Sequence, residues 1–276
     1  MHSYHVYEAG NSYTGDSGYP AKAFTYPPLT YPDSKLLRLA ENAYEAPFSM
    51  AGDAATLRDL LNDSQNTPPD SLVEQVFGNQ QRQQRLALEH LGAPAKITRE
   101  PSEIATAERV IFPGVGAAGS AMRNLDELGL LDTLREVVAG GTPFLGICLG
   151  MQVIFEHSEE DGGVDCLGLV PGKVHKFTPD SPLCKIPQMG WNTVEIVREH
   201  PVFASIEDES EFYFVHRYYP VPSASEYVLA ETEYAGIRFA SVAGKGNLVA
   251  TQFHPERSGR IGLQLLDNFS RWDGTC

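Results

Sequence analysis

With 276 residues, 42% of them hydrophobic, the chain can close a sizeable core as one large domain or one domain with an appendage. Its 21 Lys and Arg stand against 36 Asp and Glu, a formal net charge of -15, which argues against a nucleic-acid backbone or an anionic membrane as the main partner. The four cysteines (Cys148, Cys166, Cys184, Cys276) lack the dense spacing of a secreted disulfide scaffold, and neither an export signal nor a run of 18 apolar residues is visible, so the expected location is the cytoplasm.

Residues 1–72 hold seven of the twelve tyrosines and seven of the nineteen prolines, a density that breaks regular elements. Lys35 to Tyr44 and Ala54 to Leu61 have helical apolar spacing but are short, and the segment reads as an irregular appendage to a domain spanning 73–276. From Leu72 onward helical and apolar-strand stretches alternate, the signature of an α/β fold. A helix is expected over Asn79 to Leu91, closed by Gly92, then a short strand at Arg109 to Phe112 and a helix over Ser120 to Ala139, closed by Gly140 and Gly141. The apolar run from Pro143 to Ile147 leads to Cys148. The second half is richer in strands, at Lys173 to Phe177, Thr193 to Val197, Glu211 to Val215, Tyr227 to Thr232, Phe239 to Ala243 and Leu248 to Phe253, and a helix over Gly259 to Trp272 follows.

Gly146-Ile147-Cys148-Leu149-Gly150 sets a cysteine between two glycines where an apolar strand meets a helical run, the spacing of a nucleophile elbow. Glycine relieves crowding at so sharp a turn, and a helix N-terminus there favours thiolate over thiol. Cys166, Cys184 and Cys276 have no such frame and read as small apolar residues. The segment Thr251 to Ser258 ends a strand with His254-Pro255-Glu256. Pro255 biases His254 toward an extended conformation, which would project Glu256 to the same side, within reach of the imidazole. Alone, such a motif reads equally well as a surface turn; beside an elbow cysteine it completes a Cys-His-Glu triad.

Ile111 to Gly116 is a strand running into a Gly-rich turn. The backbone N–H groups of Leu149 and of the Val115-Gly116 turn are the candidate donors for an oxyanion, and the absence of a following Lys-Ser or Lys-Thr pair counts against a nucleotide P-loop. The remaining histidines (His2, His5, His90, His157, His175, His200, His216) are scattered, so neither a metal nor another cofactor is expected.

From about Leu86 to Trp272 the sequence resembles the class I (triad) glutamine amidotransferases, in the words FPGVGAAGSAM, LGICLGMQVIFEHSEE, LGLVPGKV, IPQMGWN, FYFVHRYY and QFHPERSG. FPGVGAAG, MGWN and FYFVH point within that superfamily to the glutaminase subunits of imidazole glycerol phosphate synthase. The resemblance implies a mostly parallel, doubly wound, flavodoxin-like sheet with an added strand-rich portion. It also implies glutamine hydrolysis through a glutamyl thioester on Cys148, and ammonia delivery to a (β/α)8-barrel cyclase in a histidine-biosynthetic heterodimer. Gln152, Glu160 and the His216, Arg217, Tyr218 stretch would hold glutamine. Trp191, Tyr213 and Arg257 would lie near the subunit interface, although for Trp191 and Tyr213 core packing is an equally good reading.

Three departures stand out. Where the family opens with an apolar strand and a Gly-x-Gly-Asn turn, this chain has Ser71 to Arg82, with Gly78-Asn79 kept but Glu74 and Gln75 interrupting the run. Burial on both faces of an interior strand conflicts with such residues. The strand is short and distorted, or an upstream apolar piece replaces it, or residues 1 to about 85 derive from a misread frame. Arg217 stands where small hydroxyl residues are common, and Arg257 replaces a Lys. The rival functions are a glutaminase serving another synthase and a non-catalytic regulatory subunit on the same fold.

Overall fold

The computed structural model describes residues 81–93, 95–114, 116–179 and 184–275. The Tyr- and Pro-rich segment 1–72, its two short helices, the strand position at 72–78, Val115 and Cys276 lie outside the described residues.

Helix α1 covers 81–90 and gives way to Gly92 at φ +73, the left-handed residue expected to close it. Next come α2 (Pro101–Ala105) and β1 (Val110–Gly114). The stretch expected as one helix from Ser120 to Ala139 is two, α3 (Ala118–Glu127) and α4 (Leu130–Ala139). Gly129 divides them at φ +65, where its N–H donates to Asp126 O at 2.9 Å, a turn that only a residue free of a Cβ enters without penalty. Strand β2 (Phe144–Cys148) runs directly into α5 (Leu149–Gln152), and the short strands β3 (His157–Ser158) and β4 (Val164–Asp165) follow. The strand-rich half comprises β5 (Gly172–Lys176), β6 (Gln188–Ile196), β7 (Ser210–His216), β8 (Tyr218–Pro222), β9 (Val228–Tyr234), β10 (Ile237–Lys245) and β11 (Leu248–Thr251), closed by α6 (Gly259–Arg271). Strand β8 is not among the expected strands, and it carries Pro220 and Pro222. It survives as an edge strand of the small sheet β4-β3-β5-β8, where a missing N–H is tolerated.

The larger sheet has the order β1-β2-β11-β10-β9-β6-β7. The pairs β1/β2 and β2/β11 are parallel, and from β10 outward the pairing is antiparallel, so the second half adds its strands as a mixed extension of a parallel centre. Alternation explains why the centre is apolar throughout. On β2, Leu145 and Ile147 enter one core with Phe212, Phe214, Phe253, Leu265 and Phe269, while Phe144 faces the other with Leu134, Met151 and Phe155. On β11, Val249 joins the first core and Leu248 and Ala250 the second. Helices α1 and α6 cover the first face and α3 and α4 the second, the two-sided cover that a parallel centre requires. Among the described residues no helix is long and apolar enough to cross a membrane.

Register decides what meets at the strand ends. Gly114 pairs with Cys148 across β1/β2, and Thr251 with Ile147 across β2/β11. The Gly-rich turn after β1, the cysteine after Ile147 and the polar run after Thr251 therefore emerge side by side at one carboxyl edge, the usual ligand side of such a sheet.

Candidate active site

Cys148 is the last residue of β2 and the cap of α5, with φ +55 and ψ -110. A non-glycine side chain in that region is strained by about 1–3 kcal/mol, and the strain persists only where the surroundings over-determine it. They do so here through backbone proximity. A Cβ on Gly150 would lie 2.0 Å from Phe112 O, and one on Gly114 would lie 2.7 Å from Gly150 N. The elbow is pressed against β1, and its glycines are dictated by contact with the neighbouring strand as much as by the turn. Gly150→Ala is expected to destabilise the chain by about 3 kcal/mol or more, read from urea denaturation, because the obstruction is a sheet carbonyl with no room to retreat. An unchanged urea midpoint would contradict this packing.

His254 has φ -101 and ψ 97, the extended conformation that Pro255 favours. Glu256 reaches it differently from the expectation: the chain turns into a single 3-10 turn over Pro255–Arg257, and this turn, not an extended two-residue repeat, brings Glu256 Oε1 to 3.0 Å from His254 Nδ1. Both side chains are buried. An ionised Glu256 accepts from Nδ1–H, which leaves Nε2 for the cysteine. Burial alone would depress the imidazole, but the Cys148 charge and its hydrogen bond, and then Glu256, outweigh it and lift His254 to about 10. The turn is clamped from behind. Ser258 Oγ donates to His254 O at 2.7 Å and accepts from Tyr213 N at 3.0 Å, while His254 N donates to Tyr213 O at 2.9 Å.

Of the oxyanion candidates, Leu149 is the first residue of α5, where an N–H has no intrahelical acceptor. Gly116 takes φ +93 in the turn beyond β1, and its neighbour Val115 lies outside the described residues. Gln152 is buried, and both hydrogens of its amide are used, toward Tyr218 O and Gln252 Oε1 at 3.0 Å each, so Oε1 is the atom left to accept. Glu160 Oε2 accepts from Ala118 N at 2.7 Å, tying the SEE stretch to the start of α3. Burial raises its pKa, against the partial offset of the Ala118 N–H and of Arg217. His216 is buried and pushed down to about 4 by desolvation, hence neutral, with Nδ1 2.7 Å from Tyr218 O. Arg217 is exposed and Tyr218 half-buried.

Trp191 is 47% exposed and neighbours Met189 at 53% on the outward face of β6. Its ring meets Tyr213 edge-on at 6.1 Å, and the Arg257 guanidinium lies 4.3 Å over the Tyr213 ring. The structure thus brings the three interface candidates into one cluster, with Trp191 at the surface and outside either buried core. Three participants escaped the sequence reading: Gln252, Gln188 and Ser258. Gln252 had a signal, a long polar side chain at the end of an otherwise apolar strand, where burial demands partners; Gln188 and Ser258 had none.

The chain matches the family model for glutamine amidotransferase class-I over residues 75–271. The imidazole glycerol phosphate synthase subunit HisH of Chromobacterium violaceum is 47% identical over 192 residues, 68% of this chain and 89% of that protein. The HisH subunit of Moorella thermoacetica is 46% identical over 201 residues, 73% of this chain and 93% of its own length. Among solved structures, one described as a crystal structure of glutamine amidotransferase aligns with a TM-score of 0.52 at 21% identity, covering 68% of this chain and 93% of that one, and it supports the fold. Identity of this order over about nine-tenths of those relatives, together with the family match across β2, the elbow and the His254 turn, places the chain in the class-I glutamine amidotransferase family, among the HisH subunits.

Proposed function

We propose that the chain hydrolyses glutamine to glutamate and hands the released ammonia to a (β/α)8-barrel cyclase, as the glutaminase subunit of an imidazole glycerol phosphate synthase in histidine biosynthesis. The observation that carries the chemistry is the buried His254–Glu256 pair at 3.0 Å, whose imidazole the Cys148 charge helps to hold protonated. The Cys148 thiolate attacks the γ-carboxamide carbon, and the N–H groups of Leu149 and of Gly116 hold the oxyanion. His254 gives its Nε2 proton to the amide nitrogen, the C–N bond breaks, and ammonia leaves a thioester. The same nitrogen then takes a proton from water, whose oxygen attacks the thioester and returns the thiolate. Gln152 Oε1 and the Glu160 carboxylate are acceptors suited to an α-ammonium group, and the backbone from His216 to Tyr218 holds the rest of the substrate.

The cyclase seats on the Trp191, Tyr213 and Arg257 cluster. Two features favour that face. It is exposed and aromatic with a cation at its edge, the composition enriched at protein interfaces. It also abuts the triad, because Tyr213 O accepts from His254 N and Arg257 follows Glu256. Glutamate release is expected to rise roughly tenfold or more on adding the cyclase, a coupling of the usual allosteric size. Trp191→Ala is expected to weaken the complex by about 2 kcal/mol, the loss of a central aromatic anchor. Titrating the cyclase against both proteins measures each effect, and equal affinities would remove this face from the interface.

A further inference from the structure

A chain of hydrogen bonds inside the molecule ends on the nucleophile through a residue that the triad chemistry does not use. Gln252 is fully buried just beyond β11, and its Nε2 lies 3.8 Å from Cys148 Sγ while its Oε1 accepts from Gln152 Nε2 at 3.0 Å. The polarity of this chain follows from its anchor. Tyr218 O is a backbone carbonyl and can only accept, from Gln152 Nε2 at 3.0 Å and from His216 Nδ1 at 2.7 Å. The Gln152 amide must therefore present nitrogen to Tyr218, and with its second hydrogen on Gln252 the Gln252 amide must present oxygen to Gln152. Only the nitrogen remains for the sulfur. His216, neutral with its proton on Nδ1, has an acceptor at Nε2, which faces Gln188 Oε1 at 3.0 Å while the buried Gln188 Nε2 has no partner among the described residues. Turning over the Gln188 amide supplies the donor and satisfies the nitrogen, so the chain is anchored at both ends.

A second neutral polar neighbour of the sulfur works in the opposite sense. Val215 O, 3.9 Å from Sγ, can only accept and so engages the protonated thiol. Gln252 N–H can only donate and gains most from the thiolate. We infer that Gln252 is a positioning residue for the nucleophile, holding the Cys148 thiolate by an amide N–H whose direction is fixed by Gln152 and the Tyr218 carbonyl. This deepens the assignment of Cys148 as nucleophile and rests on it. The charged and titratable groups about the sulfur are His254, with Glu256 behind it, and, beyond them, His216, which burial and then the His254 charge keep neutral. Gln252 is the uncharged donor among them. During attack the negative charge moves from sulfur to the carbonyl oxygen, so the hydrogen bond serves the resting thiolate and aims it.

The test is the pH dependence of Cys148 alkylation by iodoacetamide in the full chain, read on the Cys148 peptide by mass spectrometry so that the other cysteines do not interfere. Gln252→Met, which keeps length and burial without a donor, is expected to move the midpoint upward by about one pH unit. Gln252→Glu, whose second oxygen would face the sulfur, should move it further. The KM for glutamine should change less than twofold in the Met variant while kcat at neutral pH falls about tenfold. In the unsubstituted chain, the Gln252 side-chain amide resonances should titrate with the alkylation midpoint, a reading that needs no variant to fold. Folded variants with an unmoved midpoint, or amide resonances indifferent to that titration, would overturn the inference. A parent chain that alkylates normally but never consumes glutamine with the cyclase present would instead overturn the functional assignment.

Discussion

Cys148→Ala is expected to lower glutamate release by roughly 10⁴-fold or more while leaving the fold intact, because removing a nucleophile abolishes the covalent route and leaves only binding and the oxyanion donors. The fold should survive for a specific reason. Alanine also carries a Cβ, so it inherits the same φ of +55 and the same backbone pairing with Gly114 of β1, and only the sulfur is lost. A second consequence separates this account from one in which the cysteine merely fills space. The Cys148 charge and hydrogen bond are the largest of the effects that lift His254 to about 10, and burial opposes them. In the Ala variant that opposition loses its main counterweight, so the His254 imidazole should titrate at lower pH than in the parent, measured by NMR of the labelled ring. Glutamate release above one-hundredth of the parent rate, with His254 titrating as before, would remove Cys148 from the chemistry.

The sequence revealed most where backbone sterics and residue type coincide. Gly146 and Gly150 around Cys148 announced a sharp turn because few other sequences tolerate one, and Pro255 announced an extended His254 because its ring excludes the helical alternative. The apolar runs of β2 and β11 marked strands covered on both faces. What escaped was set by partners distant in the chain. The break at Gly129 is not legible in the spacing from Ser120 to Ala139, since local spacing cannot say whether a glycine will adopt a positive φ. Strand β8 carries two prolines that an edge position tolerates, since among the described residues no strand pairs beyond it. Glu256 meets His254 through a local geometry other than the expected extended repeat, as the 3-10 turn is held by Ser258 bridging to Tyr213 on another strand. Gln252 and Gln188 were missed as actors for the same reason: a glutamine's role is decided by what its amide meets, and the partners here lie 100 and 28 residues away.

Glu256→Gln is the second substitution with a large expected effect, a fall in kcat of roughly 10²–10⁴-fold with little change in KM, by analogy with the loss of the acidic member of other triads. The amide can still accept from His254 Nδ1–H in one orientation, but it carries no charge, and in the other orientation it donates and imposes the wrong tautomer. The direction of the pH effect follows from the lifted imidazole. His254 must be protonated when ammonia departs, and in the parent the Cys148 and Glu256 charges hold that proton up to about 10. Removing one negative charge weakens the hold, so the imidazolium is lost at lower pH and the alkaline limb of kcat/KM should move toward neutrality. No compensation from solvent is available, since the side chains of both partners are all but inaccessible to water. The pH profile of the glutaminase–cyclase complex is the measurement. An alkaline limb in its original place, with a rate within about threefold of the parent, would mean that Glu256 neither orients nor charges the base.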